Sequence, residues 1–154
     1  MAMTDFVVRE AIVPSLAATT KEAVIREIVD SLRATGYVGS DMTEDVVRAI
    51  LKREQLGSTG IGRGIAIPHC RSLVVSKLRV AFGRKPRGVD FKAIDEKPVN
   101  FFFLIVAPPL EVSNQYLPVL GKIAQFSKEA DVPQRLLGLT EPVQFIELLK
   151  EKGV

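Results

Sequence analysis

One stretch of the 154-residue chain concentrates the residues able to do chemistry. Arg53-Glu54-Gln55-Leu56-Gly57-Ser58-Thr59-Gly60-Ile61-Gly62-Arg63-Gly64-Ile65-Ala66-Ile67-Pro68-His69-Cys70-Arg71 holds four glycines, two hydroxyls, three arginines and the only histidine. Glycines let backbone N–H groups approach an anion, hydroxyls donate further hydrogen bonds, and arginine offers a planar fork for phosphate oxygens. A neutral imidazole nitrogen is a nucleophile, and a hydrogen bond to the other nitrogen fixes the tautomer and aims the reactive one outward. His69 is therefore a candidate phosphoryl acceptor, with the glycines, hydroxyls and arginines of this stretch as phosphate-suited donors around it.

Competing chemistries fit less well. Gly57 to Gly62 has Walker A spacing, but Arg63-Gly64 stands where Lys-Ser or Lys-Thr is required, and the order is helix, loop, strand instead of strand, loop, helix. The dinucleotide fingerprint fails at Ile65, where glycine or alanine is needed, so no nucleotide cofactor is implied. Cys70 beside His69 suggests a Cys-His dyad, yet neighbours on an extended chain point to opposite faces. Cys70 is read as packing. One histidine with one adjacent cysteine is too small a ligand set for a structural zinc site, and no metal is expected.

The elements around this stretch follow from apolar spacing. Thr19-Thr20-Lys21-Glu22 reads as a capping box before a helix whose face is Val24, Ile25, Ile28, Val29 and Leu32, stopping at Gly36. Asp41 or Thr43 can cap a second helix with Val46, Val47, Ile50 and Leu51 inward, ending near Gly57 with Lys52 and Arg53 in its last turn. Ile65 to Pro68 reads as a short strand ending at His69, placed where ligands bind in α/β sheets. Leu78, Val80 and Phe82 alternate with Arg79, Ala81 and Gly83 as in a half-buried strand, whereas Val99 to Ala107 is apolar on both faces and predicts a central strand. A helix is expected from about Asn114 with Leu117, Leu120, Ile123 and Ala124 inward and Pro118 in its first turn. Two more are expected, around Pro133 to Leu137 and after a Thr140 cap with Val143, Ile146 and Leu149 buried. Interspersed helices and strands predict an α/β fold, a single three-layer domain with a mixed sheet of about four to five strands flanked by helices.

Composition narrows the function classes. With 21 basic and 18 acidic residues the net charge is only +3, and the basic run Arg84-Lys85-Pro86-Arg87-Gly88 reads as a local loop. A pI near 9.1 without a nucleic-acid motif and with few aromatics argues against a nucleic-acid partner. The longest apolar run, Phe101 to Leu110, contains Pro108 and Pro109 and is far shorter than the ~20 residues that span a bilayer. No membrane insertion is expected. A single cysteine and a start without the basic-then-apolar layout of a signal peptide point to the cytoplasm.

Arg53-Glu54-Gln55 followed by Gly57-Ser58-Thr59-Gly60-Ile61-Gly62-Arg63-Gly64-Ile65-Ala66-Ile67-Pro68-His69 closely resembles the active-site signature of the mannitol/fructose-type IIA components of the bacterial sugar phosphotransferase system, nearest to the nitrogen-regulatory branch. Looser similarity runs through Leu16, Lys21 to Ile28, and Pro98 to Pro108 into the following helix. The resemblance implies that residues 1–154 form one IIA-type phosphoryl-carrier domain, and that His69 takes a phosphoryl group from an HPr-like phosphocarrier protein. In transporter members the group passes to a cysteine of a IIB domain. In regulatory members the phosphorylation state controls partners such as potassium transporters and sensor kinases. By the same resemblance Arg53 stabilises the phosphohistidine, Ser58, Thr59 and Gly60 belong to the phosphate-binding motif, and Arg71 faces the partner. The family commonly has a second histidine at the start of the helix after the central strand. Here that position aligns with Tyr116, beside Gln115, so either is a possible helper that donates a hydrogen bond without a near-neutral pKa. This departure motivates an alternative, a IIA-like binding module that regulates partners by docking without efficient relay.

Overall fold

Val99–Ala107 is a nine-residue strand with eight residues buried, and everything else is arranged around it. The structure is a computed structural model that describes the whole chain except residues 1, 37, 40, 41 and 110–114. In chain order the elements are β1 (Val7–Val13), α1 (Lys21–Ala34), α2 (Thr43–Gln55), β2 (Gly60–Gly62), β3 (Ile65–Ala66), β4 (His69–Arg71), β5 (Arg79–Val89), β6 (Val99–Ala107), α3 (Tyr116–Ser127), α4 (Val132–Leu137) and α5 (Pro142–Glu151). The sheet has six strands in the order β1-β5-β6-β3-β2, with β4 also paired to β6. It is mixed: β5 runs antiparallel to β6, while β1 is parallel to β5 and both β3 and β4 are parallel to β6.

The α/β three-layer expectation holds, because the pleat of β6 sends alternate side chains into two separate cores. Phe102, Leu104 and Val106 join the core under α1 and α2, and Phe101, Phe103 and Ile105 join the one under α3, α4 and α5. In the second core Phe82 stacks on Phe145 at 4.1 Å and meets Phe103 edge-on at 5.1 Å. Such pairs contribute about 0.5–1.5 kcal/mol each beyond their buried area.

Several local expectations are corrected. The sheet has six strands because β1, β2 and β4 add to those the apolar pattern marks. From Val80 to Gly83 β5 is buried on both faces: Ala81 and Gly83 are small because α1 packs close there, and a Cβ at Gly83 would lie 2.8 Å from both Ile28 Cδ1 and Leu16 Cδ1. The basic run from Arg84 belongs to β5 instead of a loop. Arg84 Nε donates to the carbonyls of Leu136 and Leu137 at the end of α4, both at 3.1 Å, and Lys85 Nζ donates to Leu16 O at 3.0 Å. These charges add donors to carbonyls at the end of α4 and in the loop after β1.

Helix ends and faces shift by one or two residues. Thr20 caps α1, its Oγ1 accepting from Ala23 N at 3.2 Å, so the box expected from Thr19 starts one residue early. The residue flanking α2 is Met42, without a side-chain cap, while Thr43 is already helical and Asp41 lies outside the described residues. The start of α3 read at Asn114 also lies outside them. Within α3, Tyr116, Val119, Ile123 and Phe126 are buried, whereas Leu117 is 68% exposed and Ala124 is only partly buried. In α5, Glu141 takes the cap position, and Phe145, Leu148 and Leu149 form the buried face while Val143 is exposed. The Thr140 N–H and hydroxyl instead reach Gln144 Oε1, at 2.8 and 3.2 Å.

Candidate functional site

The segment read as a glycine loop is a hairpin. β2 and β3 are antiparallel and joined at Arg63-Gly64, both at positive φ, 59° and 78°. Two-residue hairpins favour such mirror-image turns, and glycine adopts them without strain. Gly60 has another reason to be glycine: a Cβ there would lie 2.7 Å from Ala93 Cβ and 2.9 Å from its Cα. Arg63 points away from His69, its Nη2 donating to Glu129 O at 3.0 Å.

Beyond the hairpin the strand does not end at His69, as the sequence reading has it. It pauses and restarts there. Ile65 and Ala66 pair with Phe101 and Phe102, and His69, Cys70 and Arg71 pair with Ile105, Val106 and Ala107, so one register runs through both pieces. Between them Pro68 has no N–H to give, though its carbonyl accepts from Ile105 N at 3.0 Å, and Ile67 N donates to Thr59 O at 3.1 Å. The pause frees the Ile67 carbonyl, which lies 2.7 Å from His69 Nδ1. With Nδ1 donating to that carbonyl, the ring is the tautomer whose Nε2 carries the lone pair. Burial lowers the His69 pKa below its ordinary 6.5. The Ile67 hydrogen bond opposes this, the Arg53 charge adds to it, and Glu54 counters. The imidazole is thus neutral and nucleophilic at neutral pH.

His69 opens into a pocket of about 410 Å³ lined by Ala49, Lys52, Arg53, Leu56, Cys70, Arg71 and Tyr116. α2 supplies Arg53, whose Nη1 donates to Gly57 O at 2.8 Å just past the helix end. This local end-capping role coexists with its place beside the histidine. From the other layer, Tyr116 at the start of α3 meets the His69 ring edge-on, with centroids 5.8 Å apart. Burial pushes the Tyr116 phenol up to about 12, so it stays protonated as a donor. Arg71 lies over the Tyr116 ring at 4.3 Å while its Nη1 donates to Pro108 O at 2.9 Å, so it stands at the pocket with its plane fixed. Gln115 flanks Tyr116 as the residue just before α3.

Ser58, Thr59 and Gly60 are placed differently. Ser58 Oγ donates to Phe91 O at 2.7 Å, and Gly60 N donates to Ser58 Oγ at 3.1 Å. Thr59 N donates to Glu54 Oε1 at 3.1 Å, and the Thr59 hydroxyl donates to Glu54 Oε2. These donors serve the hairpin and its junction with α2, and none of the three residues lines the His69 pocket. Cys70 is buried under α2 with its thiol pushed up to about 12 by desolvation, in keeping with a packing role.

Sequence reasoning missed Glu54 and Lys21, which lie behind the site without lining its pocket. The Glu54 carboxylate is 3% exposed and its Oε1 lies 2.8 Å from Lys21 Nζ. A signal was available: an acidic side chain in the last turn of a helix opposes the macrodipole and needs another reason to be there.

The family model for the phosphoenolpyruvate-dependent sugar phosphotransferase system, EIIA 2, matches residues 5–152. A nitrogen regulatory protein of Bradyrhizobium diazoefficiens is 33% identical over 136 residues, 88% of this chain and 86% of that protein. The crystal structure of nitrogen regulatory protein IIA-Ntr from Neisseria meningitidis superposes with a TM-score of 0.85 at 29% identity, covering 96% of this chain and 98% of that one. The mannitol IIA of Escherichia coli, solved in complex with phosphorylated mannitol IIB, superposes with a TM-score of 0.75 at 29% identity over 92% of this chain and 95% of that one.

Proposed function

The chain belongs to the phosphoenolpyruvate-dependent sugar phosphotransferase system EIIA 2 family, and from that premise we propose that His69 accepts the phosphoryl group and Arg53 stabilises it there. The protein is a phosphoryl-carrier and regulatory component of that system. The observation that carries the residue assignment is the 2.7 Å contact of His69 Nδ1 with the Ile67 carbonyl, which holds the ring with Nε2 as nucleophile.

In the proposed transfer the Nε2 lone pair attacks phosphorus, and the electron pair of the breaking P–N bond returns to the donor's imidazole. No proton needs to leave His69, since Nδ1 keeps its own. The phosphorylated ring is then substituted on both nitrogens and cationic, and the Ile67 carbonyl stabilises that charge. Arg53 and Arg71, which share the pocket, supply positive charge to the phosphoryl oxygens, and the Tyr116 hydroxyl is the proposed hydrogen-bond helper in place of a second histidine. Ser58, Thr59 and Gly60 contribute by shaping the hairpin that presents His69.

The proposed donor is an HPr-like phosphocarrier. A IIB domain is a proposed acceptor by analogy with the mannitol pair, and potassium transporters and sensor kinases are proposed targets by resemblance to the nitrogen-regulatory branch. Among the described residues no helix is long and apolar enough to cross a membrane, and the cytoplasm is the proposed compartment. The test is incubation with a radiolabelled phosphorylated carrier. Wild type takes up acid-labile label and His69→Ala takes up none; label on the variant overturns the assignment.

A further inference from the structure

A continuous set of hydrogen bonds runs from the buried ion pair to the reactive imidazole. Lys21 Nζ, at the start of α1, lies 2.8 Å from Glu54 Oε1 in the last turn of α2, and also donates to Phe91 O at 3.3 Å. Glu54 takes both donors of Thr59, the N–H at 3.1 Å and the hydroxyl. The Thr59 carbonyl accepts from Ile67 N at 3.1 Å, and the Ile67 carbonyl faces His69 Nδ1 at 2.7 Å. Independently of that carboxylate, the main chain past α2 holds the arginine: Gly57 N donates to the Glu54 backbone carbonyl at 3.2 Å, and Gly57 O accepts from Arg53 Nη1 at 2.8 Å.

We propose that Glu54, neutralised by Lys21 and gripping Thr59, is a positioning residue that sets the tautomer of His69 for phosphoryl transfer. This rests on the reading of His69 as the acceptor. Glu54 does not line the pocket; its carboxylate acts through Thr59 and Ile67. Outside the network a buried carboxylate is a poor choice for stability, because desolvating two charges offsets much of their attraction, and an apolar pair of similar volume often does as well. Its geometry explains it better: only a carboxylate accepts both the amide and the hydroxyl of one residue while pairing with an ammonium. The pause at Ile67-Pro68 makes this grip matter. There the Ile67 N–H is held by Thr59 instead of by a neighbouring strand, so the carbonyl that orients His69 is only as well placed as Thr59.

Two variants test the proposal, each checked for an unchanged thermal transition and circular dichroism spectrum. Glu54→Gln keeps the shape but removes the charge and one acceptor, and Thr59→Val removes the hydroxyl. The direct readout needs no carrier: ¹⁵N chemical shifts of the His69 ring report the tautomer. In wild type a single species protonated on Nδ1 is expected, and in both variants a mixture with the Nε2-protonated form. With phosphorylated carrier, the maximal transfer rate should fall on the order of tenfold to a hundredfold while the carrier concentration at half-maximal rate stays unchanged. Folded variants with wild-type ring shifts and wild-type maximal rate overturn the proposal. So does a fall in rate caused only by weaker carrier binding. Failure of the acceptor reading would look different, as wild-type protein that takes no label on His69 whatever its tautomer.

Discussion

The β5–β6 ladder and the β2–β3–β4 edge lie on opposite sides of one strand and are held by different physics. β5 and β6 pair in unbroken antiparallel register from Arg79↔Val106 to Arg84↔Phe101, with side chains buried in two apolar cores. The edge consists of strands of three, two and three residues with a pause between the last two, and it is tied down by Thr59, Glu54, Ser58 and the backbone N–H of Asn100, which donates to Gly64 O. The break in the edge leaves the Ile67 carbonyl for the histidine. The irregularity that weakens this edge as a sheet is what makes it a site.

The sharpest way to separate the two regions is to damage the ladder alone. Phe103 is fully buried against Phe82, Phe126 and Phe145, and Phe103→Ala should lower the unfolding free energy by roughly 3–5 kcal/mol. Urea denaturation measures it. In the protein that remains folded, the His69 ring shifts should match wild type; a changed tautomer would mean that the edge depends on core packing more than its hydrogen bonds imply.

The same division explains what could be read from the sequence. Val99 to Ala107 was legible to the residue, because nine apolar positions without polar alternation allow little but a central strand. His69, Arg53, Arg71 and Tyr116 were legible as candidates and do converge on one pocket, since their chemistry or their place in a familiar signature marks them. The hairpin was not. Gly60, Gly62 and Gly64 suit a phosphate loop and a tight turn equally well, and only the pairing of Gly60 with Ala66 decides that the turn is built here. Ser58 and Thr59 show the same limit: a hydroxyl suits phosphate or carboxylate, and which it meets depends on Glu54 and Phe91, the latter 33 residues from Ser58. Alternation alone puts Ala81 and Gly83 of β5 on the solvent side, whereas their small size admits α1.

Acidity probes the edge more gently than mutation does. The folded state holds His69 below its ordinary pKa of 6.5, so the unfolded chain binds a proton first as pH falls. The stability this group supports is therefore complete above about pH 6.5 and is lost as pH drops through the lowered folded value. Urea midpoints at about pH 7 and pH 5.5 should fall more for wild type than for His69→Gln, which has no such group. Phosphoryl acceptance should persist somewhat below pH 6.5, because the neutral ring survives there. An equal acid response in both proteins would place the sensitivity elsewhere.

The smallest expected effect falls on the layer that supplies Tyr116. Apolar spacing alone put Leu117 inward, and the structure puts it outward at 68% exposed, with Val119 fully buried two residues on. The reason is that Tyr116 takes the inward position at the head of α3, where its ring meets His69 and Arg71, and this sets the phase of the whole helix. Leu117→Ala should then change stability by no more than about 0.5 kcal/mol, as surface substitutions do, while Val119→Ala should lower it by more than 1 kcal/mol, taking roughly 0.8 kcal/mol per buried methylene plus a cavity contribution. Chemical denaturation of the pair decides between the two phases. If Leu117→Ala were the more damaging change, α3 would be rotated, Tyr116 would leave the pocket, and the hydrogen-bond helper proposed for His69 would have to be sought on another element.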